Sequence, residues 1–203
     1  SNYDKNSSAF IVETNPKNIE KLKKCYKNFK NINIFNFAIS TENTDKLAFY
    51  YTENDAPHYQ VCSSDINHVK KHYPNSKIEK FFIKSHSINN FFNKYSLNII
   101  DHLSIDIEGL DYDVLLSIDF SKFIIKNISV EYLHLTSFQK KNLIKFLYRN
   151  GYTYCGFGYD HNNFDYLFKK KKILWNFLLS KLLHLISKKH YRILNYLILY
   201  RHK

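Results

Sequence analysis

Glycine is scarce in this chain, 4 residues in 203, and the first of them is Gly109. A nucleotide-binding α/β domain normally opens with a strand and a glycine-rich turn that lets the backbone approach a phosphate. That turn is missing from the first hundred residues, and residues 1–8 are polar without periodicity. Methionine is absent altogether, which is expected of a fragment or of a chain whose start Met was removed ahead of Ser1. The cysteines, Cys25, Cys62 and Cys155, are odd in number and widely spaced. That pattern supports neither a disulfide framework nor a C-x-x-C zinc knuckle, and it suits a reduced, cytoplasmic setting. No secretory signal stands at the front, and no uncharged apolar run reaches membrane-spanning length.

What is present is enough apolar material for one substantial core. Hydrophobic residues make up 44% of the chain, which excludes a disordered polypeptide. The net charge of +12 suggests nucleic acid until it is located. Residues 169–203 hold eight lysines, two arginines and no acid, so they carry +10 and residues 1–168 carry 12 − 10 = +2. The body is nearly neutral and the basicity belongs to the tail. In that tail Leu174, Phe177, Leu178, Leu182, Leu185 and Ile186 form a broad apolar face opposite Lys181, His184 and Lys188. It reads as a basic amphipathic helix, followed by a second near Arg192 to Tyr200. Such helices suit an anionic membrane surface, each nearby Lys or Arg adding about 1 kcal/mol. Packing on the domain is the competing reading. No nucleic-acid partner is expected, because the apolar face is wide.

Along the body, strands and helices alternate. Phe10 to Val12 is a short strand ending at Glu13, and Thr14-Asn15-Pro16 turns the chain into a helix from about Asn18 to Lys30. Residues 32–39 alternate as one strand. Residues 46–52 and 78–83 look like an added pair of strands, and residues 56–74 between them are a natural lid or substrate loop. His68 and His72 there lie one helical turn apart and could share a metal. The sequence positions no third ligand, so they read as solvated and no metal site is assigned. Ser85 or Ser87 caps a short helix at 88–95. Residues 123–132 form a strand ending at Glu131, with His134 three residues on. Ser137 would cap a helix to about Asn150 that buries Phe138, Leu143, Ile144 and Leu147. Residues 152–155 and 164–168 read as a closing antiparallel pair.

The chain is organised around residues 99–116, I-I-D-H-L-S-I-D-I-E-G-L-D-Y-D-V-L-L. Leu103, Ile105 and Ile107 alternate with His102, Ser104 and Asp106, the period of a strand. Asp106 and Glu108 sit where that strand stops, and ligands of open α/β sheets bind outside the carboxyl ends of strands. The run at 85–116 resembles the core of the FkbM family of S-adenosylmethionine-dependent methyltransferases, whose strand ends in Lys-Ile-Asp-(Ile/Val)-Glu-Gly. A-F-I-V-E-T-N-P at 9–16 is similar to the family's Glu-Pro-Asn-Pro segment, with Thr14 in place of proline. F-N-F-A-I-S at 35–40 resembles its strand ending in Ala-Ile-Ser.

The resemblance implies a Rossmann-like sheet, mostly parallel with an antiparallel closing strand, whose first strand and glycine-rich loop are missing here. It implies S-adenosylmethionine as cofactor, with Glu13, Asn15, Ala38 and Ile39 in its pocket. Glu13 would accept the ribose hydroxyls, though it is also a helix N-terminal acid favoured by the macrodipole. Asp106, Glu108, Glu131 and His134 are the catalytic candidates. His134 or Glu131 would act as base, and Asp106 and Glu108 would orient the substrate or a bound cation such as Mg²⁺. The expected activity is O-methylation of a sugar hydroxyl on a surface glycan or glycolipid, at the inner face of a membrane. The competing expectation is a catalytically silent relative that binds a membrane or partner through its tail.

Overall fold

Helix α1 (Pro16–Tyr26) begins where the Asn15 side chain accepts a hydrogen bond from Lys17 N. Pro16 takes the first helical position, where a missing N–H costs nothing. The helix links β1 (Ala9–Glu13) to β2 (Ile32–Asn36), which run in parallel with Glu13 opposite Asn36. This β–α–β unit opens the computed structural model, which describes residues 8–158 and 163–171. The rest follows as β3 (Ala38–Ser40), β4 (Thr44–Tyr51), α2 (Ile66–His72), β5 (Glu79–Ser87) and α3 (Ile88–Lys94). Then come β6 (Ile99–Ile105), α4 (Asp111–Ser117), β7 (Ile124–Glu131), α5 (Ser137–Arg149), β8 (Tyr152–Phe157) and β9 (Asp165–Lys170).

The fold is mixed α/β, and the expectation of one mostly parallel sheet needs correcting. The strands fall into three groups, β1-β2, β3-β5-β4 and β6-β7-β9-β8. Three of the six pairings are parallel, those of β1 with β2, β3 with β5 and β6 with β7. The other three are antiparallel. Part of the cause lies at Phe37, which splits what reads as one strand over 32–39. β2 stays with β1 while β3 crosses to β5. Asn36 Nδ2 donates to the carbonyls of Glu13 and Thr14 at 2.9 and 3.0 Å, and Phe37 turns inward, edge-on to His86. Among the described residues, β1 and β6 each keep one edge without a ladder partner. The antiparallel closing strand is present: β9 inserts between β7 and β8.

The core lies where β6 and β7 meet α3, α4 and α5. Val114, Leu115, Ile125, Ile128, Val130, Leu143 and Leu147 are fully buried within it, each contributing about 1.5–3 kcal/mol of transfer free energy. Two expectations for α5 are corrected. Thr136 is the cap, accepting from Gln139 N while the Gln139 side chain accepts from Thr136 N, a reciprocal capping box. Phe138 consequently falls in the first turn on the solvent side and is 77% exposed.

The insertion between β4 and β5 is tied down rather than loose. Tyr50 and Ser63 exchange backbone hydrogen bonds, and the buried Asp55 carboxylate accepts from Val61 N and the Tyr73 hydroxyl at 2.7 and 2.8 Å. At the other end, β9 runs through Lys170, so the boundary expected after residue 168 falls inside a strand. The amphipathic helices expected in the tail lie, beyond residue 171, outside the described residues. No helix among the described residues is long and apolar enough to cross a membrane.

Candidate functional site

Strand β6 ends at the buried Ile105, and the next five residues make a tight turn into α4. Glu108 has φ +52° and Gly109 φ +112°. Glycine takes such a backbone freely, whereas for a glutamate it costs about 1–2 kcal/mol. Two side chains hold the turn. The Asp111 carboxylate accepts from Ile107 N and Gly109 N at 2.9 and 3.1 Å, and the Ser63 hydroxyl donates to the Glu108 carbonyl at 2.6 Å. Asp111 is buried, which raises its carboxyl above the usual range, while these backbone donors pull it back. Asp111 and Ser63 therefore shape the site, and sequence reasoning passed over both. An acid two residues after the turn glycine was the available signal for Asp111. Ser63 has none, because its partner lies 45 residues away.

The turn aims Glu108 at the end of β7. Its Oε2 lies 3.6 Å from His134 Nε2 and 2.8 Å from His68 Nε2, while His134 Nε2 lies 3.4 Å from Glu131 Oε1. Glu131 is 8% exposed. Burial first, and then the negative charges of Asp106, Glu108, Asp111 and Asp165, push its carboxyl up to about 8. Burial lowers the His134 imidazole, with the Glu108 carboxylate opposing that shift. The crowd is not fully paired: Glu108 Oε2, Glu131 Oε2 and His68 Nε2 are buried without a hydrogen bond. Contact at 2.8 Å between His68 and Glu108 thus has a length suited to a hydrogen bond but not the direction for one. The sequence placed no third group near His68 and His72. The fold brings His134 there.

His72, Glu108, Glu131 and His134 face a cavity of about 730 Å³, within the range of small-molecule sites. Asp106, Glu108, Glu131 and His134 line it, together with Asp165. The Ser129 hydroxyl fixes Asp165 with a 2.7 Å hydrogen bond to Oδ2. Asp165 was not among the candidates, since a strand-opening acid after a polar loop reads as ordinary surface. Glu13 and Asn18 line the cavity as well. Glu13 Oε1 accepts from Asn15 N at 2.7 Å and its Oε2 from Asn18 Nδ2 at 3.2 Å. A carboxylate offers about four lone-pair sites, so Glu13 keeps acceptor capacity towards the cavity. The insertion contributes part of the wall, and there burial, with the charges of Glu13, Asp55 and Glu108, pushes the Cys62 thiol up to about 12.

The other cofactor candidates sit elsewhere. Asn15 is buried and serves as the cap of α1. Ala38 is fully buried in β3, and neither it nor Ile39 reaches the cavity wall. Their strand has left β2 for β5.

Acids at the carboxyl ends of β1, β6 and β7 thus share one hollow. The sequence matches the family model for the methyltransferase FkbM domain over residues 3–154. This chain belongs to the FkbM methyltransferase family. No curated protein and no solved structure matches it. For an FkbM methyltransferase the expected cofactor is S-adenosylmethionine, and the donor set here suits it. Glu13 has lone pairs left for ribose hydroxyls, and a wall carrying Glu13, Asp106, Glu108, Glu131 and Asp165 favours a guest with positive charge. A sulfonium carries one.

Proposed function

We propose that this FkbM-family chain is an S-adenosylmethionine-dependent O-methyltransferase acting on a sugar hydroxyl of a glycan or glycolipid. The observation that carries the reading is that one cavity is lined both by Glu13 and by the Glu131–His134 pair. Bound S-adenosylmethionine supplies an electrophilic methyl group on a sulfonium. Glu13 binds and orients through its remaining lone pairs. A hydroxyl is a weak nucleophile until its proton begins to leave, so an acceptor beside it accelerates the displacement. Glu131 Oε2, buried and without a partner, takes that proton, and His134 positions the carboxyl at 3.4 Å. Asp106 and Glu108 hold the other hydroxyls of the acceptor. Because the transfer is in-line, most of the gain comes from holding the two reactants in register.

An aromatic surface favours a sugar. Next to the cavity residues Leu133, Phe164 and Asp165, Tyr132 stacks on Tyr166 at 4.0 Å, and Phe157 and Tyr154 extend that aromatic surface. The C–H face of a pyranose has the weak positive edge that such π faces attract. The glycolipid part rests on the charge of +10 carried by residues 169–203, which would hold the protein at an anionic inner leaflet.

Calorimetric titration with S-adenosylmethionine is the direct test, followed by transfer of a labelled methyl group to a panel of sugars and sugar amines. Micromolar binding and label on oxygen support the reading. Absence of binding, with tight association to anionic vesicles, would replace it with the silent membrane module. Label on nitrogen would move the enzyme out of the O-methyltransferases.

A further inference from the structure

We propose that His68, His72, His134 and Glu108 form a binding site for one divalent transition-metal ion, Zn²⁺ by ligand preference. The ligating atoms of the three histidines lie within 4.8 Å of one another. Their ring centroids are 4.6 to 5.8 Å apart, and the His134 ring stands at 82° and 80° to the other two. The imidazoles therefore surround a common space instead of stacking. Glu108 Oε2 adjoins two of them, at 2.8 and 3.6 Å from His68 and His134 Nε2. Tetrahedral zinc with bonds of 2.0–2.1 Å needs ligand atoms about 3.3 Å apart, which those two separations bracket.

A second observation points to a ligand. The His68 side chain is only 8% exposed, yet its Nε2 and the facing Glu108 Oε2 both lack a hydrogen bond. Each has given up its water, and they touch each other at 2.8 Å without the direction of a hydrogen bond, so neither recovers what burial took from it. One cation between them satisfies both. Three imidazole nitrogens and one carboxylate select a borderline first-row ion over Mg²⁺ or Ca²⁺, which prefer oxygen ligands. The carboxylates of Asp106 and Glu131 line the same wall and add to the attraction.

The ligands are also held in advance. His68 and His72 share a face of α2, which Asp65 caps by accepting from Asn67 N at 2.8 Å and the fully buried Val69 anchors. Glu108 is fixed by the Ser63 bond described above. Ligands from the insertion thus meet ligands from the ends of β6 and β7, and the ion pins the insertion over the cavity.

The site is tested on the tag-free chain, stripped with a chelator and titrated with Zn²⁺ or Co²⁺. We expect one equivalent bound, a tetrahedral Co²⁺ absorption spectrum, and no competition from a hundred-fold excess of Mg²⁺. His68→Ala and His134→Ala each weaken binding by about a hundred-fold or more, whereas His58→Ala does not. Should the histidine variants fail to fold, Zn²⁺ must still raise the melting temperature of the stripped wild-type chain. Substoichiometric binding, no thermal shift, or His134→Ala binding like wild type each overturns the site. Because metal binding is read without cofactor, its failure is distinct from a failure to bind S-adenosylmethionine.

Discussion

Two parts of the cavity lining are built on opposite terms. Around Glu13 the acid is satisfied by its immediate neighbours, Asn15 N and Asn18 Nδ2, at sequence separations of two and five. Around Glu131, by contrast, Glu108, Glu131, His134 and His68 converge from three separate segments and leave three polar atoms without a hydrogen bond. A self-satisfied acid is a preformed cradle that changes little when a guest arrives. A crowded, under-satisfied cluster stores electrostatic cost that a cation or a reacting hydroxyl relieves.

Four measurements sharpen or break that contrast. The largest effect belongs to the part of the lining that the insertion supplies. With its thiol pushed up to about 12, Cys62 should label with iodoacetamide about a thousand-fold more slowly than an ordinary thiol near pH 8.5. Mass spectrometry against the exposed Cys25 and Cys155 reads this directly, and equal labelling would mean the wall is wet. Next, Glu131→Gln should lower kcat by about a hundred-fold or more with little change in S-adenosylmethionine affinity. A loss confined to KM would make Glu131 a binding residue. Glu13→Gln should do the converse, weakening cofactor binding by about ten-fold, or about 1.4 kcal/mol, while the melting temperature holds. Smallest is Ser63→Ala, which removes one hydrogen bond to the strained Glu108 carbonyl and should cost about 1 kcal/mol in chemical denaturation. A neutral result there would show that Asp111 alone holds the turn.

Much of the strand-and-helix order was legible, because each element carries its own signal. The period-2 run before Asp106, Pro16 after Asn15, and Ser87 before α3 are local, and the structure places β6, α1 and α3 accordingly. What could not be read was partnership. Residues 32–39 have one unbroken alternation, yet Phe37 sends β3 to a different neighbour, a choice made by packing against His86 and Phe91. That exchange is why Ala38 and Ile39 sit away from the cavity. In the same way Glu13, Asp106, Glu108, Glu131 and His134 stood out as strand-end groups, and they do line one hollow. The proximity of His68 and His72 to His134 carries no pattern at all, since His134 comes 62 positions after His72 in the chain.

Glu108 holds its backbone against its own preference where Asp111 and a serine from the insertion together grip the turn. The insertion and the acid are therefore mechanically coupled. A homologue that sheds residues 56–74 should carry glycine or asparagine where Glu108 stands, and grafting the insertion onto a relative will succeed only if the glutamate travels with it.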